Sequence, residues 1–124
     1  MKLLWKKSKN LVLKDSIDLT KMDFYALLVP TILSAEIFDK NIDLKVLVEN
    51  FKVEKPIKDY LYDNRTALLA RLIREIERSD EESLSYNILI LNDFLDQVFK
   101  LSLQNDIELI NAVKLLNKYS RNKV

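Results

Sequence analysis

The stretch LKVLVENFKVEKPIKDYLYDNR, residues 44–65, decides how this chain is to be read. Leu44, Leu47, Val48 and Phe51 follow the i, i+3, i+4, i+7 spacing of a helical stripe, and Pro56 suits the first turn of a second helix. Two short helices joined by a turn are either a DNA-reading unit or a corner in a bundle. As a DNA reader, the segment would pack Leu47, Phe51, Val53, Ile57 and Leu61 together and present Lys52, Lys55, Lys58 and Arg65 to phosphates. The sharp turn, however, falls on Lys52 where such units hold a glycine, and a left-handed residue with a side chain costs about 1–2 kcal/mol. Asp59 and Asp63 would also face the phosphates, and residues 79–99 hold five acids and no base. The segment is therefore read as a bundle corner, with helix-turn-helix DNA binding as the alternative.

Outward from this segment the pattern is helical. Upstream, Thr20 and Asp23 can open a helix over FYALLVPTILSAEIF, which is apolar nearly all round and is expected at the centre of the bundle, kinked or broken at Pro30. Asn41 is expected to cap the helix that carries the Leu44–Phe51 stripe. Downstream, the periodicity runs from Ile57 to about Glu77, and on one straight helix Arg65 would project from the middle of the apolar face. Either Asp63 or Asn64 breaks the helix and caps a new one, or Arg65 is buried and needs a partner such as Asn87 or an acid. Ser79-Asp80-Glu81-Glu82 reads as a capping box opening a helix to about residue 101, and Asn105 with Glu108 repeats the device for a last helix to about Tyr119. These signals predict an all-α, single-domain bundle of about five helices over residues 20–119. A basic arm, extended or coil, precedes it over residues 1–19, and a basic tail follows over 120–124.

Composition limits the chemistry. Among 124 residues there is no histidine, cysteine or glycine. Histidine is the usual general base near neutral pH, thiolates make nucleophiles and metal ligands, and glycine is required by phosphate-cradling loops and nucleophile elbows. The chain is accordingly read as non-catalytic, with no cofactor or metal and no evident small-molecule substrate. Asp93 and Asp96, one turn apart, are read as solubilising rather than as cation ligands. The lysine-flanked N-terminus lacks the apolar run of a secretory signal, and the longest uncharged run is too short to span a bilayer. A cytoplasmic protein is expected. The lean toward Lys, Asn and Ile suggests a low-GC bacterium, phage or plasmid.

Charge is unevenly spread. Residues 15–116 hold 12 bases against 19 acids, a net charge of −7, whereas both ends are basic. Trp5, among Lys2, Lys6 and Lys7, is expected to dock on the acidic body or on a partner rather than on lipid. What remains is action by binding: an adaptor, an immunity protein or an inhibitor of host machinery, whose partner is another protein or a second copy. The candidate partner-binding residues are Arg71, Arg74 and Arg78, on the outer face of one helix, and Phe94 and Phe99, in a shared apolar face with Phe24, Tyr25, Leu27, Leu28, Ile32 and Leu101.

Overall fold

The longest helix carries Leu84, Ile88, Leu91, Leu95 and Val98 at helical spacing, and all five are buried. Its stripe is the surface on which four other helices assemble. The computed structural model describes residues 2–9 and 16–121. Among them lie α1 (Lys2–Lys9), α2 (Ile17–Leu33), α3 (Lys45–Val48), α4 (Arg65–Glu77), α5 (Glu81–Asn105) and α6 (Leu109–Arg121), with 3-10 turns at Asn41–Leu44 and Asp59–Asp63. α5 packs against α1, α2, α3 and α6, while α4 packs against α2 and the second 3-10 turn. The described residues contain no strand, and the chain is an all-α bundle as its periodicity implies.

Several boundaries differ from those read in the sequence, each for a local reason. The arm is helical over Lys2–Lys9 instead of extended or coil. Eight residues are too few to hold a helix alone in water, and burial of Leu4 and Ser8 supplies what local propensity lacks. Residues 10–15 lie outside the described residues. α2 opens at Ile17, with the Ser16 hydroxyl accepting from the Leu19 N–H at 3.4 Å, so Thr20 is an interior residue that donates to the Ser16 carbonyl. Pro30 neither ends nor interrupts α2, which continues to Leu33. Its missing donor would have met the carbonyl of Ala26, on an exposed part of the helix where water can replace it. α5 is capped by Asp80, whose Oδ1 accepts from the Ser83 N–H at 2.8 Å, one residue later than the expected box. At the other end α5 runs through Asn105, and Asp106 takes the left-handed position, at φ 51°, that usually falls to glycine.

The deciding segment resolves into a corner. Leu44, Leu47, Val48 and Phe51 are buried as a helical stripe, but α3 ends at Val48 and residues 52–58 contain no helix. Pro56 lies in that irregular stretch. Asn64 caps α4, its Oδ1 accepting from Thr66 and Ala67 N–H at 2.9 and 3.1 Å, so the break at Asp63–Asn64 is real. Arg65 is also half-buried and finds partners other than those expected. Its Nη2 donates to the Phe38 carbonyl at 2.6 Å, Nη1 to the Ser34 and Ile32 carbonyls at 3.2 and 3.4 Å, and Nε to Asn41 Oδ1 at 2.7 Å. Asn41 is thus used as a bridge and not as a helix cap; its Nδ2 donates to the Asp63 carbonyl at 3.3 Å.

Asn87, 2% exposed, holds the next irregular stretch: Oδ1 accepts from the Lys52 N–H at 2.7 Å and Nδ2 donates to the Lys52 carbonyl at 3.0 Å. Beside it, Glu75 accepts from the Glu54 N–H at 3.0 Å and from Arg71 Nε at 3.1 Å, while Arg71 Nη2 donates to the Lys55 carbonyl. Loops that would expose or orphan backbone groups are tied to α4 and α5 by side chains instead.

Substitutions at two positions test this account. Arg65→Met should destabilise the fold by about 2–3 kcal/mol, because it strands carbonyls that a charged fork had satisfied, and Arg65→Lys should recover only part of the loss. Asp106→Gly should stabilise by about 0.5–1 kcal/mol by relieving the left-handed residue. Both are measured as shifts in the urea midpoint at unchanged slope.

Candidate interaction surface

α2 is apolar on two sides. Its inner side, with Phe24, Leu27, Leu28, Thr31 and Ile32, is buried. On its outer side Leu19 is 56% exposed, Met22 65% and Leu33 48%, with exposed Ala26 and Pro30 and half-buried Val29 among them. Leu19, Met22, Ala26, Val29 and Leu33 alternate steps of three and four residues, the repeat of a helix seam that packs on another helix. The longest uncharged run in the sequence reflects these two faces laid side by side.

Both edges of the outer face are anchored. Toward α4, Lys21 Nζ donates to the Glu77 carbonyl at 2.8 Å and the Tyr25 hydroxyl donates to Glu77 Oε1 at 2.5 Å. Lys21 thereby places a cation on a terminal carbonyl of α4, where the helix dipole favours it. Burial pushes the Tyr25 phenol well above its ordinary pKa, with the Glu77 hydrogen bond and charge adding to the shift, so it remains a donor. Toward α1, Leu3, Leu4 and Lys7 join Pro30, Ser34, Ala35 and Glu36 around a recess of about 450 Å³.

The residues singled out in the sequence are scattered by the fold. Phe94 and Phe99 are not surface groups: both are buried, Phe94 stacked on Phe38 with ring centroids 5.5 Å apart and Phe99 on Trp5 at 5.4 Å. Phe24, Leu27, Leu28 and Ile32 are likewise core, with Tyr25 and Leu101 half-buried against it. A stripe widened by aromatic residues is a broad core face here, because α1 and the 34–38 segment cover the part that a thinner bundle would expose. Arg71 is engaged with Glu75 and the Lys55 carbonyl, which leaves Arg74 exposed on α4 and Arg78 exposed at its C-cap. Arg78 borders a polar recess with Lys52, Glu54, Glu75 and Asp80, where acids offset its charge.

For the DNA alternative, the second helix is missing. Lys52 is exposed but its backbone is fastened to Asn87, Lys55 and Lys58 are exposed on irregular chain, and Arg65 points inward to carbonyls. The residues that sequence reasoning missed are Leu19, Met22 and Leu33. Their signal was the alternating three-and-four spacing, hidden because the helix looked uniformly apolar.

The basic arm folds onto the acidic body. Trp5 Nε1 donates to Asp96 Oδ1 at 3.2 Å, Lys9 lies over the indole at 4.4 Å, and Lys100 pairs with Asp96 at 2.9 Å. Asp96 is therefore occupied, while Asp93 is exposed. Among the described residues, no helix is long and apolar enough to cross a membrane.

The Asp96 carboxyl is held below its ordinary range principally by the Lys100 hydrogen bond, against a smaller effect of burial, with help from Trp5 and Lys9. A depressed carboxyl contributes stability above its unfolded value, and loses it as pH falls through the folded one. Trp5 is the sole tryptophan, so its emission reports docking of α1. Emission should shift to the red on acidification below about pH 4, and Asp96→Ala should show part of that shift already at neutral pH. No protein-family model, curated protein or solved structure matches this chain, so its functional reading rests on this geometry alone.

Proposed function

We propose that this protein acts by binding another protein, without catalysis, and that the outer face of α2 is its contact surface. The observation that carries this reading is the exposure of Leu19, Met22 and Leu33 along one helical seam whose edges are held by α1 and α4. Contiguous exposed apolar surface on a small domain is a mark of a binding face, and apolar contacts rimmed by charge supply affinity and selectivity together. Asp18 near the start of α2, and Lys7 and Glu36 around the recess near its end, provide such a rim. The role proposed is that of an adaptor, an immunity protein or an inhibitor of host machinery, working in the cytoplasm of a low-GC bacterium or carried by one of its mobile elements.

Affinity capture from the native host tests this. The double variant Met22→Glu, Leu33→Glu should lose its captured partner by roughly tenfold or more, whereas Arg74→Glu, Arg78→Glu should retain it, with circular dichroism unchanged for both. Equal capture by the two variants would remove α2 as the contact surface.

A further inference from the structure

We propose that a second copy of the chain docks on the first half of α5, presenting the outer edge of its α1. Two exposed stripes carry this inference, one acidic and one basic, each with apolar groups among its charges. On α5, Glu82, Tyr86, Leu89 and Asp93 recur at i, i+4, i+7 and i+11, which places them on one helical face. All four are exposed, Tyr86 at 47% and Leu89 at 60%. On α1, Lys2, Leu3 and Lys6 project opposite the buried Leu4 and Ser8, with Leu3 64% exposed and no acid anywhere in the helix. Among the described residues, none of Lys2, Lys6, Glu82 and Asp93 is held in an ion pair.

The stripes match in order as well as in sign. Along α5 the acids stand at the two ends, about 16 Å apart along the axis, with Tyr86 and Leu89 between them. Along α1 the lysines flank Leu3, so seating Leu3 between Tyr86 and Leu89 lets the long stems of Lys2 and Lys6 reach outward to the acids. Apolar contact closed at its ends by opposite charges is the usual make-up of a selective interface. Within one copy the fold already makes a pairing of this kind: Trp5 Nε1 donates to Asp96 Oδ1 at 3.2 Å, with Lys9 over the indole, one turn beyond Asp93 on α5. That docking turns Leu4 and Ser8 inward and leaves the opposite edge of α1 facing away from its own α5. The net charge of −7 over residues 15–116 opposes approach to nucleic acid or anionic lipid, whereas the acidic stripe of another copy is a complement the chain itself supplies.

Sedimentation of the full chain from micromolar to near-millimolar concentration tests this. It should show reversible self-association that weakens as salt rises from about 50 to 500 mM. The double variants Lys2→Glu, Lys6→Glu and Glu82→Lys, Asp93→Lys should each weaken it roughly tenfold or more, with circular dichroism unchanged. An equimolar mixture of the two should restore it, because only the mixture sets unlike charges against each other. Met22→Glu, on the outer face of α2, should leave self-association as it is, which separates this contact from the one proposed for a different partner. A chain that stays monomeric throughout overturns the proposal, as does self-association that neither charge variant alters or that Met22→Glu abolishes. Weakening by both variants without restoration on mixing overturns the pairing of these two stripes. Binding of a monomeric chain to anionic phospholipid vesicles, lost in Lys2→Glu, Lys6→Glu, would assign the edge of α1 to lipid instead.

Discussion

The guanidinium of Arg65 is the interaction on which the rest of the arrangement depends. It gathers the carbonyls of Ile32, Ser34 and Phe38 and the amide of Asn41, so one side chain at the start of α4 closes the turn that follows α2. A chain without glycine has few inexpensive ways to reverse direction, since left-handed and close-approach conformations carry a steric cost for every other residue. Among the described residues only Asp106 adopts positive φ. Elsewhere the turns are built from right-handed and extended backbone, and their unpaired polar groups are met by side chains reaching from neighbouring helices. Arg65, Asn87, Glu75, Arg71 and Lys21 all work in this manner.

That solution has a consequence for the surface. The cations and amides that look available in sequence are largely spent internally, either on loop carbonyls or on one another. Apolar groups are apportioned differently: aromatic residues of α5 are covered by Trp5 and Phe38, while α2, with more apolar residues than one buried face can use, keeps a second face outward. The proposed binding role follows from this surplus, and the recess beside α1 gives it shape as well as hydrophobicity.

The helical class and the break before α4 were legible in the sequence because each depends on neighbours within one or two turns. The N-terminal helix was not, since eight residues owe their structure to the surface beneath them. The irregular course of residues 52–58 was not either. There Pro56 and the apolar periodicity from Ile57 suggested the start of a second helix, but Asn87 and Glu75 hold the backbone of Lys52 and Glu54 in an irregular course. Phe94 and Phe99 were misjudged for the opposite reason: a wide apolar face looks like surplus until the elements that cover it are known.

By itself, the order of residues determined that this molecule is helical, where its strongest caps lie, and which reaction chemistries lack their usual side chains. Those properties are local or compositional, and they survive any choice of packing. Tertiary structure alone decided which apolar face is buried and which charges are spent, placing Arg65 inside and the Leu19–Leu33 seam outside. Burial and pairing are properties of distance in space, and residues far apart in the chain, such as Trp5 and Asp96 or Lys52 and Asn87, meet only once the helices have docked.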